Sequence, residues 1–130
     1  MPESDVNRPS SCGGKSLMSL WAQPPPGDEL GWYLFNIIIP IQVKKVRFIV
    51  SYGIRDGIHL PYDIQVKFQV KVNSDTILNQ ETNENHWFRS EIEVYIPDDR
   101  NLDVYFITKS LGRGDAHGAV WGAPVLLEVF

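Results

Sequence analysis

The sequence predicts an all-β domain, an antiparallel two-sheet β-sandwich of the jelly-roll type, and three observations predict it. Apolar and polar residues alternate with a period of two through several segments, so each segment would have one dry and one wet face. Clusters of Gly, Asn, Asp and Pro separate those segments. No stretch sustains the 3.6-residue apolar period of an amphipathic helix beyond about two turns. Seven or eight short strands with one-sided alternation call for two sheets packed face to face.

Taken in chain order, residues 1–14 are polar and read as a loose tail, leaving 15–130 as the single folded domain. Leu17 to Trp21 reads as the first strand. Pro24-Pro25-Pro26-Gly27-Asp28 then makes a stiff connection that no helix or central strand could cross. Trp32 to Ile39 is apolar on both faces, which predicts a central strand. Val46, Phe48, Val50 and Tyr52 alternate with polar or intervening residues. Ile64, Val66, Phe68, Val70 and Val72 do so most clearly, interleaved with Gln65, Lys67, Gln69 and Lys71. Ile92, Val94 and Ile96 repeat the pattern with Glu91, Glu93 and Tyr95 outward. Leu102, Val104 and Phe106 repeat it with Asp103, Tyr105 and Ile107 outward. Ala119 to Phe130 closes the set, with Pro124 as its expected break point.

Composition narrows the function classes. At 130 residues, with 43% hydrophobic and 12% aromatic content, the chain can build one substantial core. A net charge of -4 and a pI near 5.3 argue against nucleic-acid binding, which needs a local excess of Lys and Arg. No apolar run approaches the roughly 20 residues of a membrane span. Residues 1–14 lack the basic-then-apolar pattern of a secretory signal, so the expected location is the cytoplasm if the chain is complete. A lone cysteine, Cys12, forms no internal disulfide, in keeping with a reducing compartment.

Several short motifs carry little. Gly14-Lys15-Ser16 resembles the end of a phosphate-binding loop, but Pro9 stands where the loop's first glycine belongs. Arg113-Gly114-Asp115 spells a short adhesive tripeptide, a string that recurs by chance among turn residues. His59, His86 and His117 sit in separate loops without a second ligand at metal spacing. No nucleophile, base and acid stand in a recognisable arrangement, so the chain is expected not to be an enzyme. No cofactor is expected. Among metals, only a structural calcium ion suits the loop acids Asp56, Asp98, Asp99 and Asp115, with Asp115 the candidate ligand.

The aromatic residues are more informative. Of Trp21, Trp32, Trp87 and Trp121, most are expected to fill the core or its ends. Tyr95 and Tyr105 differ, because alternation sets them opposite their strands' aliphatic residues. If the two strands share a sheet, one wet face carries both phenol rings among Glu93, Asp103, Lys67 and Gln69. Flat aromatic surface beside amide and carboxylate groups suits a sugar ring, which stacks through its C–H face and hydrogen-bonds through its hydroxyls.

The run Val66 to Asn73, then Trp87, then Leu102 to Thr108, and finally Asp115 to Leu126 with its Trp121-Gly122-Ala123-Pro124 turn, together resemble the noncatalytic carbohydrate-binding-module-like jelly rolls, close in fold to galactose-binding-like domains. The resemblance covers a little over half of the chain. Family members often carry Asp where Ala123 stands here. It implies a sandwich whose Trp-Gly-x-Pro piece turns the last strand against the core, and a glycan as the partner. The alternative expectation is a protein partner or a second copy of the chain, docked on the same face or on the Trp32 to Ile39 strand.

Overall fold

The computed structural model describes residues 8–25, 30–112 and 117–130. Nine strands form: β1 (Arg8–Cys12), β2 (Lys15–Trp21), β3 (Leu30–Ile38), β4 (Lys45–Ile54), β5 (Gln65–Val72), β6 (Asp75–Thr82), β7 (Phe88–Val94), β8 (Asn101–Leu111) and β9 (Ala119–Val129). They make two antiparallel sheets, ordered β1-β2-β9-β4-β7 and β3-β8-β5-β6. Strands β2 to β9 interleave between the sheets as eight jelly-roll strands do, with β1 added at one edge. No helix among the described residues is long and apolar enough to cross a membrane.

The predicted alternation holds where it was clearest. In β5, Val66, Phe68, Val70 and Val72 are buried while Gln65, Lys67, Gln69 and Lys71 are half-exposed. In β4, Val46, Phe48, Val50 and Tyr52 turn inward and pack across the sandwich. Trp121 of β9 sits at the centre, its ring edge-on to Phe68 of β5 and Phe106 of β8. Burying a side chain of this kind contributes about 1.5–3 kcal/mol, so a dozen of them supply most of the drive to close the two sheets.

Four elements depart from the sequence expectation. Residues 8–12, expected in a loose tail, form β1 along β2, with Ser10 and Cys12 buried. Their polar composition conceals a hairpin turned by Gly13 and Gly14, both at positive φ. Strand β6 follows Asn73 and Ser74 in a tight hairpin from β5 and has too few apolar residues to announce itself. Strand β3 is an edge strand rather than a central one, since among the described residues only β8 pairs with it. Pro124 does not end β9; the ladder with β4 shifts register at Ile49/Ser51 and Ala123 takes φ 43°, which absorbs the missing N–H.

Two side chains fix the loops at opposite ends. The guanidinium of Arg100 donates to the carbonyls of Ile39 (3.1 Å), Pro40 (2.7 Å) and Val43, pinning the β3–β4 connection. The carboxylate of Asp56 accepts the N–H groups of Gly13 (2.8 Å) and Gly14 (2.9 Å), which ties the β1–β2 hairpin to the loop after β4. Arg55 lies over the Trp21 ring at 3.9 Å and Arg8 at 4.6 Å, adding cation–π contacts to the same junction.

Candidate functional site

The outer face of the four-stranded sheet is built from rows of side chains set by strand register. One row runs Trp32, Ile107, Gln69 and Asn79 across β3, β8, β5 and β6. The next row toward one end holds Leu34, Tyr105 and Lys71. The row on the other side holds Leu30, Lys109, Lys67 and Glu81. Beyond Tyr105 comes Asp103 opposite Asn36, whose amide donates to the Asp103 carboxylate at 2.7 Å.

Trp32 is the salient group on this face. Its side chain is 62% exposed, and its ring stands 6.2 Å from that of Tyr105, tilted by 54°. Ile107 is only 7% exposed despite facing outward, so the aromatic pair rests on an apolar floor. A large indole left in solvent costs hydrophobic free energy unless something covers it. The same face carries amide, carboxylate and ammonium groups: Gln69 and Asn79 further along the Trp32 row, Lys67 and Lys71 on the rows to either side, and Asp103 beyond Tyr105. An apolar plate with a few convergent polar groups is the composition of a small-ligand site.

Four of the expected site residues therefore share one face: Tyr105, Asp103, Lys67 and Gln69. The other two do not. Glu93 lies in β7, in the five-stranded sheet, with Lys45 at 3.9 Å; Tyr95 follows the end of that strand and is 76% exposed. Alternation reports which side of its own strand a residue takes. It does not report the sheet, and the jelly roll sends β7 and β8 to opposite sheets. Tyr95 instead borders a small cleft with Asn73, Asp75 and Ile77.

The outer face of the five-stranded sheet is electrostatically satisfied by comparison. Glu91 accepts from Arg47 at 2.8 Å and Arg89 at 3.2 Å, and these bonds hold its carboxyl below the usual value. Asp115, the candidate calcium ligand, lies outside the described residues. Among the described residues no group of three His, Cys, Asp or Glu side chains converges as a metal site. Asp56 is engaged by two backbone N–H groups, as above. Cys12 is buried, and burial, reinforced by the Asp56 carboxylate, pushes its thiol up to about 12.

A second feature lies at the open side of the sandwich. Strand β2 pairs with β9 through Gly122, Trp121 and Val120, so among the described residues the far half of β9 has β4 on one side and no strand on the other. Between that half and the edge strand β3 opens an apolar cavity of about 240 Å³, lined by Phe35, Ile37, Phe48, Phe106, Val125 and Leu126.

Trp32 was hidden in the sequence because a both-faces-apolar segment reads as buried. The available signal was its period-two relation to Leu34 and Asn36, which ends in a polar residue on the same side as Trp32.

The sequence matches no family model and no curated protein. Among solved structures, it is similar in overall shape to CBM51 from Clostridium perfringens GH95, described in complex with methyl-galactose. The two are 10% identical, the match covers 93% of this chain and 80% of that one, and the TM-score is 0.49. Fold and face together define the class: a jelly-roll domain with an open aromatic sheet surface.

Proposed function

We propose that the domain is a noncatalytic carbohydrate-binding module that takes its ligand on the outer face of β3, β8, β5 and β6. The observation that carries this reading is Trp32, exposed beside Tyr105 on a face whose other rows carry polar side chains. A pyranose laid on the indole buries its C–H face there, and further sugar units of the same glycan run across the sheet toward Gln69 and Asn79 or along it toward Asp103. Asp103 is held in place for that role by the Asn36 amide and by the backbone bond its N–H donates to Asn73 Oδ1 at 2.9 Å.

Titration with oligosaccharides, followed by NMR, is the direct test. The Trp32 indole signal and the Tyr105 ring signals move first. A screen across neutral and acidic glycans at millimolar concentration in which neither responds removes the reading.

A second reading rests on β3 itself. Leu30, Trp32, Leu34, Phe35 and Ile38 are exposed on a strand that among the described residues has β8 as its one neighbour, and the strand has no charged residue to guard its edge. A second copy of the chain could pair β3 to β3 and cover these side chains. Sedimentation over a concentration series separates the readings, because a strictly monomeric species removes the second and leaves the first intact.

A further inference from the structure

The same face carries a charge arrangement that folding alone does not favour. Lys67 of β5 and Lys109 of β8 are direct cross-strand partners on the outer side of the sheet. Directly opposed residues have Cα atoms about 4.5–5.5 Å apart, and like charges so placed destabilise the pair. Lys71, opposite Tyr105, adds a third ammonium on the far side of the Trp32 row. Two residues along a strand is roughly 7 Å, so ammonium groups bracket the indole row on both sides.

Three facts set these lysines apart from ordinary solvated ones. First, none of them forms an ion pair among the described residues, although Glu81 stands opposite Lys67. On the other sheet, Lys45, Arg47 and Arg89 all lie within salt-bridge distance of Glu91 or Glu93. Second, β5 and β8 are the two inner strands of their sheet, so the lysines are not guarding an edge against aggregation. Third, the chain as a whole carries a net charge of -4, whereas on this face Lys67, Lys71 and Lys109 outnumber the carboxylates Glu81 and Asp103. All three are half-buried, as lysines are when their methylene stems cover apolar surface and their ammonium groups stay in solvent.

We infer that the ligand of this face is an acidic glycan, one whose sugar rings bear carboxylate or sulfate groups, with Trp32 stacking a ring while Lys67 and Lys109 together receive an anionic substituent. The inference rests on the glycan-binding reading and narrows it. A single anion between the two ammonium groups turns their mutual repulsion into two attractive contacts, and Lys71 is placed to meet a second anion on a neighbouring residue of the same chain.

The experiment is calorimetric titration of the full chain with three probes of matched length: a galacturonate oligosaccharide, a sulfated galactose oligosaccharide and a neutral galactose oligosaccharide. At low salt at least one acidic probe binds about tenfold or more tighter than the neutral one. That preference collapses between about 0.01 M and about 1 M salt, as the Debye length falls from roughly 30 Å to roughly 3 Å. The double variant Lys67→Gln/Lys109→Gln loses the preference, its affinity for the acidic probes falling to that for the neutral one, and its melting temperature is unchanged or higher because the like-charge pair is gone. Which acidic probe wins tells carboxylate from sulfate. Neutral binding that depends on Trp32 with no acidic preference overturns this inference and leaves the glycan reading standing. No binding of any probe overturns both. Binding of a single-stranded oligonucleotide as tight as the best acidic glycan also overturns it, by showing a general polyanion surface instead.

Discussion

Gly53 of β4 lies against the backbone of His86, so close that a Cβ on the glycine would stand 2.1 Å from the histidine carbonyl oxygen. No heavy-atom contact of that length survives, and the obstacle is backbone rather than a flexible side-chain tip. Gly53→Ala must therefore push the 84–87 loop away from β4. The loop cannot retreat cheaply, because the Ile54 N–H donates to the Glu84 carbonyl and the Asn85 amide donates to the Arg55 and Ile58 carbonyls. A loss of about 1–3 kcal/mol is expected in chemical denaturation, the range of overpacked sites.

Trp121 tests the core in the opposite sense. It is fully buried and contacts Phe68, Phe106 and Tyr52 at ring-centroid distances of 5.1, 5.2 and 6.2 Å. Trp121→Ala leaves a void between the sheets and should cost about 3–5 kcal/mol. Trp121→Phe should be markedly milder. The Nε1–H has no acceptor among the described residues, so the smaller ring also removes an unsatisfied buried donor. Equal losses for the two variants in a denaturant series would overturn this account, because both remove the N–H and only Ala leaves the large void.

These two sites show what was legible in advance. The inward alternation of β4, β5, β7 and β8 names the core residues, because burial of one strand face is a local pattern with a local cause. Fold class followed from it. Partnering between distant strands has no such local signature. Tyr95 and Tyr105 look alike within their own segments, yet their strands enter different sheets. Lys67 and Lys109 are 42 positions apart and meet only through the β5–β8 register. Trp32 was misplaced for a related reason: its strand is apolar on both sides, and its place at the sheet edge is set by pairing with the distant β8.

Trp32 can be removed without harming the core, and that separates binding from stability. Its exposed side chain meets Tyr105 but supports no buried residue beyond the outer side of Ile107. Trp32→Ala should change unfolding free energy by no more than about 0.5–1 kcal/mol. Glycan affinity should fall by about tenfold or more, equivalent to roughly 1.4 kcal/mol of lost stacking. A variant that melts normally and binds as tightly as the parent would place the ligand elsewhere.

Cys12 should be chemically silent in the folded protein. Its side chain is buried between the β1–β2 hairpin and Gly53, and a thiol pushed up to about 12 offers almost no thiolate at neutral pH. Iodoacetamide should label it only as fast as the hairpin opens, and Asp56→Ala, which removes the acceptor of the Gly13 and Gly14 N–H groups, should speed labelling. The sign of the pH effect follows from the raised value. Stability linked to the neutral thiol is complete below its ordinary value of 9.0 and drains away as pH rises from there toward about 12. Cys12→Ser should flatten that alkaline limb.

Glu91 sets the corresponding acid limb, and the argument runs the other way. Hydrogen bonds from Arg47 and then Arg89 lower its carboxyl below the ordinary 4.5 in the folded state. The stability linked to the ionised form is thus present above pH 4.5 and is lost as pH falls through the depressed folded value. The group is solvent-exposed, so screening keeps the contribution small and makes it sensitive to salt. Glu91→Gln should leave the neutral-pH melting temperature almost unchanged while reducing its fall on acidification, and high salt should reduce it in the parent as well. Arg47 and Arg89 would then face each other's charge without the shared carboxylate, so the variant should be more stable in high salt than in low. An acid limb identical in parent and variant at low salt would mean that other carboxylates govern acid unfolding.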